Sequence, residues 1–326
     1  MKTFEEAIYL TRCNIGWYSS HANAYVKPLE VSTNYATTLC VDETCRIPPE
    51  ILRRCVKVIH FRGFWGLLSG GAISSICKGQ RIFTGFDFPC MFTAWRLKRR
   101  LGCKWTMFLW DPPSLSYRDG FPPFRWAIDA LFRFFAKRCD KLVLNIHPGL
   151  LKEIGYEAHE GQLELRMQDA FNSADFQRKR DEGVEGGVFD YEFGILSNWG
   201  KGKGGPLVSK ALMHSPAVKC LWIGNPPRHQ VSQQIHFVGH LPQDKALDML
   251  RRCQVLVVPY LPTHALKWNY PLKLFEYLQL GRPILASDNP GNVAISRRFP
   301  GRISLFRSGD CQDLQRKMDV VLSGTH

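Results

Sequence analysis

In the stretch "NYPLKLFEYLQLG" (269–281), Lys273 and Glu276 stand three residues apart, and Gln279 follows three further on. Leu272, Phe275 and Leu278 recur with helical spacing, as do Leu274 and Tyr277, so this polar stripe runs between two apolar flanks. Pro271 fits the first helical position and Gly281 the residue just past the helix end. A solvent-facing Lys–Glu pair of this kind contributes about 0.5 kcal/mol or less. A lysine in a first turn also opposes the positive end of the helix dipole, which makes more chemical sense if an anion docks beside it. Glu276, one turn deeper, is then placed to accept hydrogen bonds from sugar or ribose hydroxyls.

A second stretch, "LSNWGKGKGG" (196–205), follows a strand-like run and precedes the helical "PLVSKALM". Gly200, Gly202 and Gly205 formally satisfy the dinucleotide fingerprint. That fold also wants an acid at the end of the next strand to hold the ribose, and here the next strand ends "LWIGNPP", with no acid before Asp244. The nicotinamide reading is therefore rejected, and no G-x-x-x-x-G-K-[ST] run supports a P-loop. What remains is a loop with Lys201 and Lys203 at a helix N-terminus, a combination that suits a phosphate. A plain flexible surface loop accounts for this motif alone equally well. In "IHFVGHLP" (235–242), Gly239 and His240 open a proline-bearing turn that by itself is an ordinary strand-to-helix connection.

These residues need elements to hold them. "AIYL", "VKVIHF", "QRIFTGF", "KWTMFLW" and "KLVLNI" read as strands in the first half. "MFTAWRLKRRLG" and "FRWAIDALFRFFAKR" read as helices between the last three, the signature of parallel βαβ units. A charged, glycine-rich segment at 178–187 reads as a linker. A second series follows with strands at 189–196, 219–224, 234–239, 254–260 and 283–287, and clear helices at 242–253 and 271–280. The expectation is two Rossmann-like α/β domains facing across a cleft: residues 1–180, then 181–306, with a last helix at 307–326 packing back on the first domain.

The chain has 326 residues, 45% hydrophobic and 22% charged, an ordinary globular composition long enough for two cores. No window approaches a membrane span, and the N-terminus lacks the apolar core of a signal peptide. Eleven scattered cysteines without a C-x-x-C pair argue for reduced thiols in a cytosol rather than a zinc site or a disulfide framework. The net charge is +14, clustered in "WRLKRRLGCKW", "FRFFAKRCDK" and "RKR". A basic face favours anionic partners, although any single cluster is most simply a solvated surface. "PPFRWAIDALFRFFAKRCDK" has the composition of an interfacial amphipathic helix, yet its apolar residues nearly encircle it, as in a buried domain helix.

The ordered set "FGILSNWGKGKG", "HFVGHLP", "ALDMLRRCQVLVVPY" and "NYPLKLFEYLQLGRPILASDNPG" resembles the C-terminal half of GT-B glycosyltransferases of the GT4-like superfamily. The likeness is specific over about 190–291 and looser in the first half. It implies a nucleotide-sugar donor held by the C-terminal domain, and the expectation is a UDP- or GDP-linked sugar with no cofactor. Lys201 or Lys203 then matches the pyrophosphate-binding lysine, Gly239 the loop glycine near the base with His240 after it, Lys273 a phosphate lysine, and Glu276 the glutamate that holds donor hydroxyls. Three positions depart: the family arginine is Ile195, its first paired acid is Trp268, and the histidine expected near "WDPP" is Trp110.

Glycosyl transfer needs the departing nucleoside diphosphate stabilised, and no D-x-D pair is present to bring a metal to it. Lysines and helix N-termini supply that stabilisation electrostatically. Asp111, at the end of a strand, is the first candidate for the general base an inverting reaction needs; Asp87 and His21 come next, although each is more simply a cap or turn residue. Gly16 would let the backbone approach the donor phosphates, or simply serve a turn. Acceptors consistent with the charge are a lipid-linked glycan, a polysaccharide or a nucleic acid, with the protein peripheral at the inner face of a membrane. The competing reading is a non-catalytic GT-B-like protein that binds an anionic surface or nucleic acid through its basic face.

Overall fold

The computed structural model describes residues 5–11, 31–45, 47–68, 80–109, 122–166, 189–200, 202–213, 215 and 217–323. The chain forms two compact units. The first comprises residues up to Asn145 together with Leu151–Arg166; the second comprises Ile146–Leu150 and everything from Met167 onward.

The first unit is built on seven strands: β1 (Glu6–Thr11), β2 (Ala36–Asp42), β3 (Lys57–Phe61), β4 (Arg81–Thr84), β5 (Lys104–Leu109), β6 (Lys141–Leu144) and β7 (Leu163–Leu165). Every pairing is parallel and the order is β3-β2-β1-β4-β5-β6-β7. Parallel strands covered by helices on both faces read as continuous apolar runs. β5 shows the consequence, since Trp105 through Leu109 are all buried behind an exposed Lys104. Its described helices include α1 (Pro49–Arg54), α2 (Gly63–Leu68), α3 (Phe88–Leu101) and α4 (Pro122–Ala136), while α5 (Gly149–Glu153) begins in the second unit and ends in the first. β2 was not expected from the sequence, because Thr37 and Thr38 interrupt its apolar run, yet both lie within the ladder to β1.

The second unit carries β8 (Tyr191–Leu196), β9 (Cys220–Ile223), β10 (Ile235–Phe237), β11 (Cys253–Val258), β12 (Ile284–Ser287) and β13 (Ile303–Phe306). All pairings are parallel, in the order β10-β9-β8-β11-β12-β13. Its helices are α6 (Gly205–Leu212), α7 (Gln243–Leu250), α8 (His264–Lys267), α9 (Leu272–Gln279), α10 (Pro290–Arg298) and α11 (Cys311–Leu322). Phe193, Val208, Trp222, Val255 and Leu285 share one buried core. Burying each such side chain fully contributes about 1.5–3 kcal/mol.

Leu314, Met318 and Val321 of α11 insert into the second unit's own core beside Val208 and Ala211. Its apolar stripe has the helical spacing needed to cover α6, so it completes the domain in which it is encoded. Pro271 was placed at the first helical position; it is the residue before the helix, with φ −64° and ψ 122°, and α9 begins at Leu272. Gly281 does adopt the left-handed conformation expected of a helix stop, with φ +71°. The linker expected at 178–187 lies outside the described residues. Among the described residues, no helix is long and apolar enough to cross a membrane, and nine cysteines are free thiols. Burial pushes the thiols of Cys40 and Cys139 up to about 12, so both stay protonated.

Candidate active site

In a doubly wound sheet, ligands gather at the carboxyl ends of the strands where the order reverses. In the second unit that point lies between β8 and β11. β8 ends at Leu196, and the next eight residues form the lysine–glycine loop.

This loop is pinned rather than loose. Ser197 N–H donates to Ile223 O at 2.9 Å, and Trp199 N–H to Asn225 O at 3.2 Å. Trp222 Nε1 donates to Ser197 O at 2.6 Å. Lys203 N–H returns to Gly200 O at 3.1 Å, and Leu261 N–H, just past β11, donates to Gly202 O at 3.0 Å. Gly204 precedes α6 with φ +78°, and no side chain caps that helix. The positive end of α6 therefore faces the loop without a protein acceptor from its N-cap side chain.

Lys203 lies with its Nζ 4.2 Å from the centroid of the Tyr260 ring. A ring face attracts a cation without neutralising it, which holds the ammonium in place while leaving it available to an anion. Tyr260 is itself fixed: its carbonyl accepts from Asn289 Nδ2 at 2.9 Å and from Ser308 Oγ at 3.1 Å. The loops after β8, β11, β12 and β13 thus meet at one residue that the sequence analysis missed. The signal was present, since Tyr260 ends a strand-like run at the carboxyl edge.

α9 joins the same edge. Leu274, Phe275, Tyr277 and Leu278 are buried. Leu196 N–H, at the end of β8, donates to the Tyr277 hydroxyl at 2.7 Å. Burial raises the Tyr277 pKa well above its ordinary value, so the phenol keeps its proton. Lys273 and Glu276, each only 15% exposed at the side chain, lie together with Nζ 3.2 Å from Oε2. That contact is within ion-pair distance but not aligned as a hydrogen bond, and Lys273 Nζ, shielded from water, has no hydrogen-bond acceptor. An ammonium with three donors and none engaged is costly unless a ligand completes it. Glu276 Oε1 accepts from Gln243 Nε2 at 3.0 Å. Gln243 opens α7, three residues after His240, so the glycine–histidine turn, α7 and α9 converge on one carboxylate. Gln243 was also missed, because a glutamine opening a helix carries no signal of its own.

The remaining expected residues divide clearly. Gly239 has φ +72°, and its carbonyl accepts from Gly224 N–H at 2.8 Å. His240 beside it is exposed. Gly16, His21, Trp110, Asp111 and Lys201 lie outside the described residues. Asp87 occupies the N-cap position of α3, in keeping with the simpler reading of it as a helix-end residue.

Two departures from the family pattern acquire a physical account. Ile195 is buried in the second unit's core, so that position contributes packing and not a cation. Trp268 stacks on His147, with ring centroids 5.3 Å apart and planes 19° from parallel. Its ring lies where a side chain on Gly149 would stand, 2.1 Å from the position of a Cβ. Gly149 N–H donates to His147 Nδ1 at 3.1 Å, which leaves the imidazole proton on Nε2. Burial lowers the His147 pKa below its ordinary value, favouring the neutral ring that this bond requires.

With two parallel doubly wound sheets, the chain has the GT-B fold class. HepE from Anabaena, in complex with UDP, is similar over 98% of this chain and 91% of its own, with a TM-score of 0.72 and 13% identity. Sucrose-phosphate synthase from Thermosynechococcus elongatus is similar over 98% and 90%, with a TM-score of 0.67 and 12% identity. A UDP-forming trehalose-phosphate synthase from Burkholderia xenovorans is similar over 98% and 91%, with a TM-score of 0.64 and 10% identity. Residues 206–323 match the family model described as glycosyl transferases group 1. That span holds Gly239, His240, Gln243, Lys273 and Glu276. No curated protein matches the chain by sequence.

Proposed function

We propose that the protein is a glycosyltransferase that moves a sugar from a UDP- or GDP-linked donor to an acceptor without a metal. The observation that carries this is Lys273. Its ammonium is shielded from water, lacks a hydrogen-bond acceptor, and sits in the first turn of α9 beside a carboxylate that Gln243 orients. A diphosphate would complete the lysine and meet the open N-termini of α6 and α9, with Lys203 and Lys201 from the glycine loop sharing its charge. Glu276 would accept hydrogen bonds from donor hydroxyls, with Gly239 and His240 beside the base. Gly16 would admit the phosphates from the first domain, where Asp111 would act as general base toward the acceptor. The group 1 glycosyl transferase match over the second domain supports this assignment, and similar structures carry UDP.

Calorimetry with UDP-, GDP- and ADP-sugars tests the proposal, followed by assays of nucleoside diphosphate release with lipid-linked glycan and polysaccharide acceptors. At least one donor should bind; failure of all of them would overturn it. Gln243→Ala should lower kcat/KM about 3–10-fold by releasing Glu276. Gln243→Glu, nearly isosteric, should cost more, because it sets two carboxylates against each other. Equal, small effects of both substitutions would count against this role for Gln243.

A second reading is favoured by Ile195 and Trp268, which replace two expected polar groups with packed apolar ones. On that reading the protein is non-catalytic and holds nucleic acid or an anionic surface through its basic face. Salt-steep binding of DNA, with nucleotide binding indifferent to Glu276→Ala, would establish it. The catalytic reading also places the protein in the cytoplasm, with a peripheral association at the inner face of the membrane.

A further inference from the structure

We propose that the solvent face of α4, extended by Trp95 and Arg99 of α3, is a docking surface for an anionic lipid bilayer, and that the Trp126 side chain enters it. This surface belongs to the first domain, whereas the residues that carry the proposed donor chemistry belong to the second.

A helix on a domain surface ordinarily turns a polar face to water. α4 buries Ile128, Phe132, Phe135 and Ala136 in the domain. Its opposite face is apolar as well. Positions 126, 130 and 134 recur at helical spacing, so Trp126, Ala130 and Phe134 stand one above another with Ala127 beside them. Trp126 is 69% exposed and Phe134 37%. One arc of this helix is therefore core, and the opposite arc is an exposed apolar surface.

The charges that flank the stripe are basic, apart from Asp140, which Lys98 pairs. Arg133 and Lys137 flank it on one side and Arg138 on the other. The Arg138 guanidinium lies 3.5 Å from the Phe134 ring centroid. Trp95 meets Phe134 edge-on at 5.7 Å, and the Arg99 guanidinium lies 5.4 Å from the Trp95 ring. α3 contributes Arg96, Arg99 and Arg100 besides Lys98, which pairs with Asp140 at 2.6 Å. The only acid within the two helices is Asp129, which is buried.

Exposed tryptophan and phenylalanine within a basic field match the interface of an anionic membrane, where aromatic rings sit at headgroup depth and cations meet phosphates. A single-stranded nucleic acid would instead need open ring faces for base stacking. Here guanidinium groups already cover the faces of Phe134 and Trp95, so these rings offer edges and bulk rather than platforms.

The test is co-sedimentation of the full chain with phosphatidylcholine vesicles, with and without a minority of phosphatidylglycerol. Binding should require the anionic lipid and fall away at about 0.5 M salt, where screening acts within a few ångströms. Trp126→Ser should weaken it about tenfold, and Trp126→Phe should retain most of it. Lys137→Gln should weaken it about fivefold. Thermal melts of both surface variants should match the parent, and donor binding should be unaltered, which separates this proposal from the enzymatic one. Equal binding to neutral vesicles, an unchanged Trp126→Ser variant, or displacement from vesicles by single-stranded DNA would each overturn it.

Discussion

Lys273→Met should reduce kcat/KM for nucleotide-sugar turnover by about 100-fold or more, the loss seen when one preorganised donor to a developing anion is removed. Methionine keeps the apolar stem that packs in α9 and deletes only the ammonium. Two consequences then act together. The leaving diphosphate loses a cation held in a sparsely hydrated place, and Glu276, no longer paired at 3.2 Å, repels it. The protein itself should hardly suffer. The pair lacks an aligned hydrogen bond to offset its desolvation, and a lysine in a first turn works against the helix dipole, so little stability is lost with the ammonium. Steady-state rates of diphosphate release and a thermal melt, run on the same preparation, give both numbers. Lys273→Arg should recover part of the rate. Parent-like kinetics in Lys273→Met would remove the ammonium from the mechanism.

Gly204→Ala should be strongly destabilising to the second domain. The residue has φ +78°, and a Cβ there would stand 1.9 Å from the Pro259 carbonyl oxygen. Left-handed backbone costs an alanine about 1–2 kcal/mol, and relieving the overlap requires the loop to move off β11. We expect a total near 3 kcal/mol and a melting temperature lowered by about 10 °C, with donor affinity falling alongside because Lys203 follows the loop. Two neighbours provide the contrast. Gly202→Ala meets side-chain atoms of Thr263 and Leu266 no closer than 3.4 Å and should be nearly neutral for stability. Gly239→Ala has φ +72° but open space around it, so it should show the conformational cost alone. Differential scanning calorimetry of the three orders them. If Gly204→Ala melts with Gly202→Ala, the loop is not held as described.

The helix that carries Lys273 and Glu276 was legible from spacing alone, because apolar residues three and four apart leave one arc for anything polar. Its boundaries shifted by one residue at the proline. Five of the six parallel strands of the second half were legible because they are largely apolar, as burial on two faces demands, whereas β13 was not, with Ser304 interrupting its short run. β2 was not, since Thr37 and Thr38 are accommodated by neighbours in the ladder that no local pattern reveals. The core residues that α11 covers were not legible for the same reason. An amphipathic stripe announces that a helix will be covered, but not by which domain.

For the site, residue type and order along the chain determined which groups could address a phosphate and which a hydroxyl. Lysine, glycine and glutamate in that succession restrict the chemistry before any fold is known. Tertiary structure alone decided how those groups are held. Tyr260 reaches Lys203, far from it along the chain, only because β8 and β11 are neighbours in the sheet. Gln243 meets Glu276 only because α7 and α9 open at the same edge. Such contacts join residues far apart in sequence, and their energies depend on distances of a few ångströms that the sheet order sets. The same holds for Trp268, an unexplained aromatic in the sequence, which in the fold is the plate that His147 stacks upon.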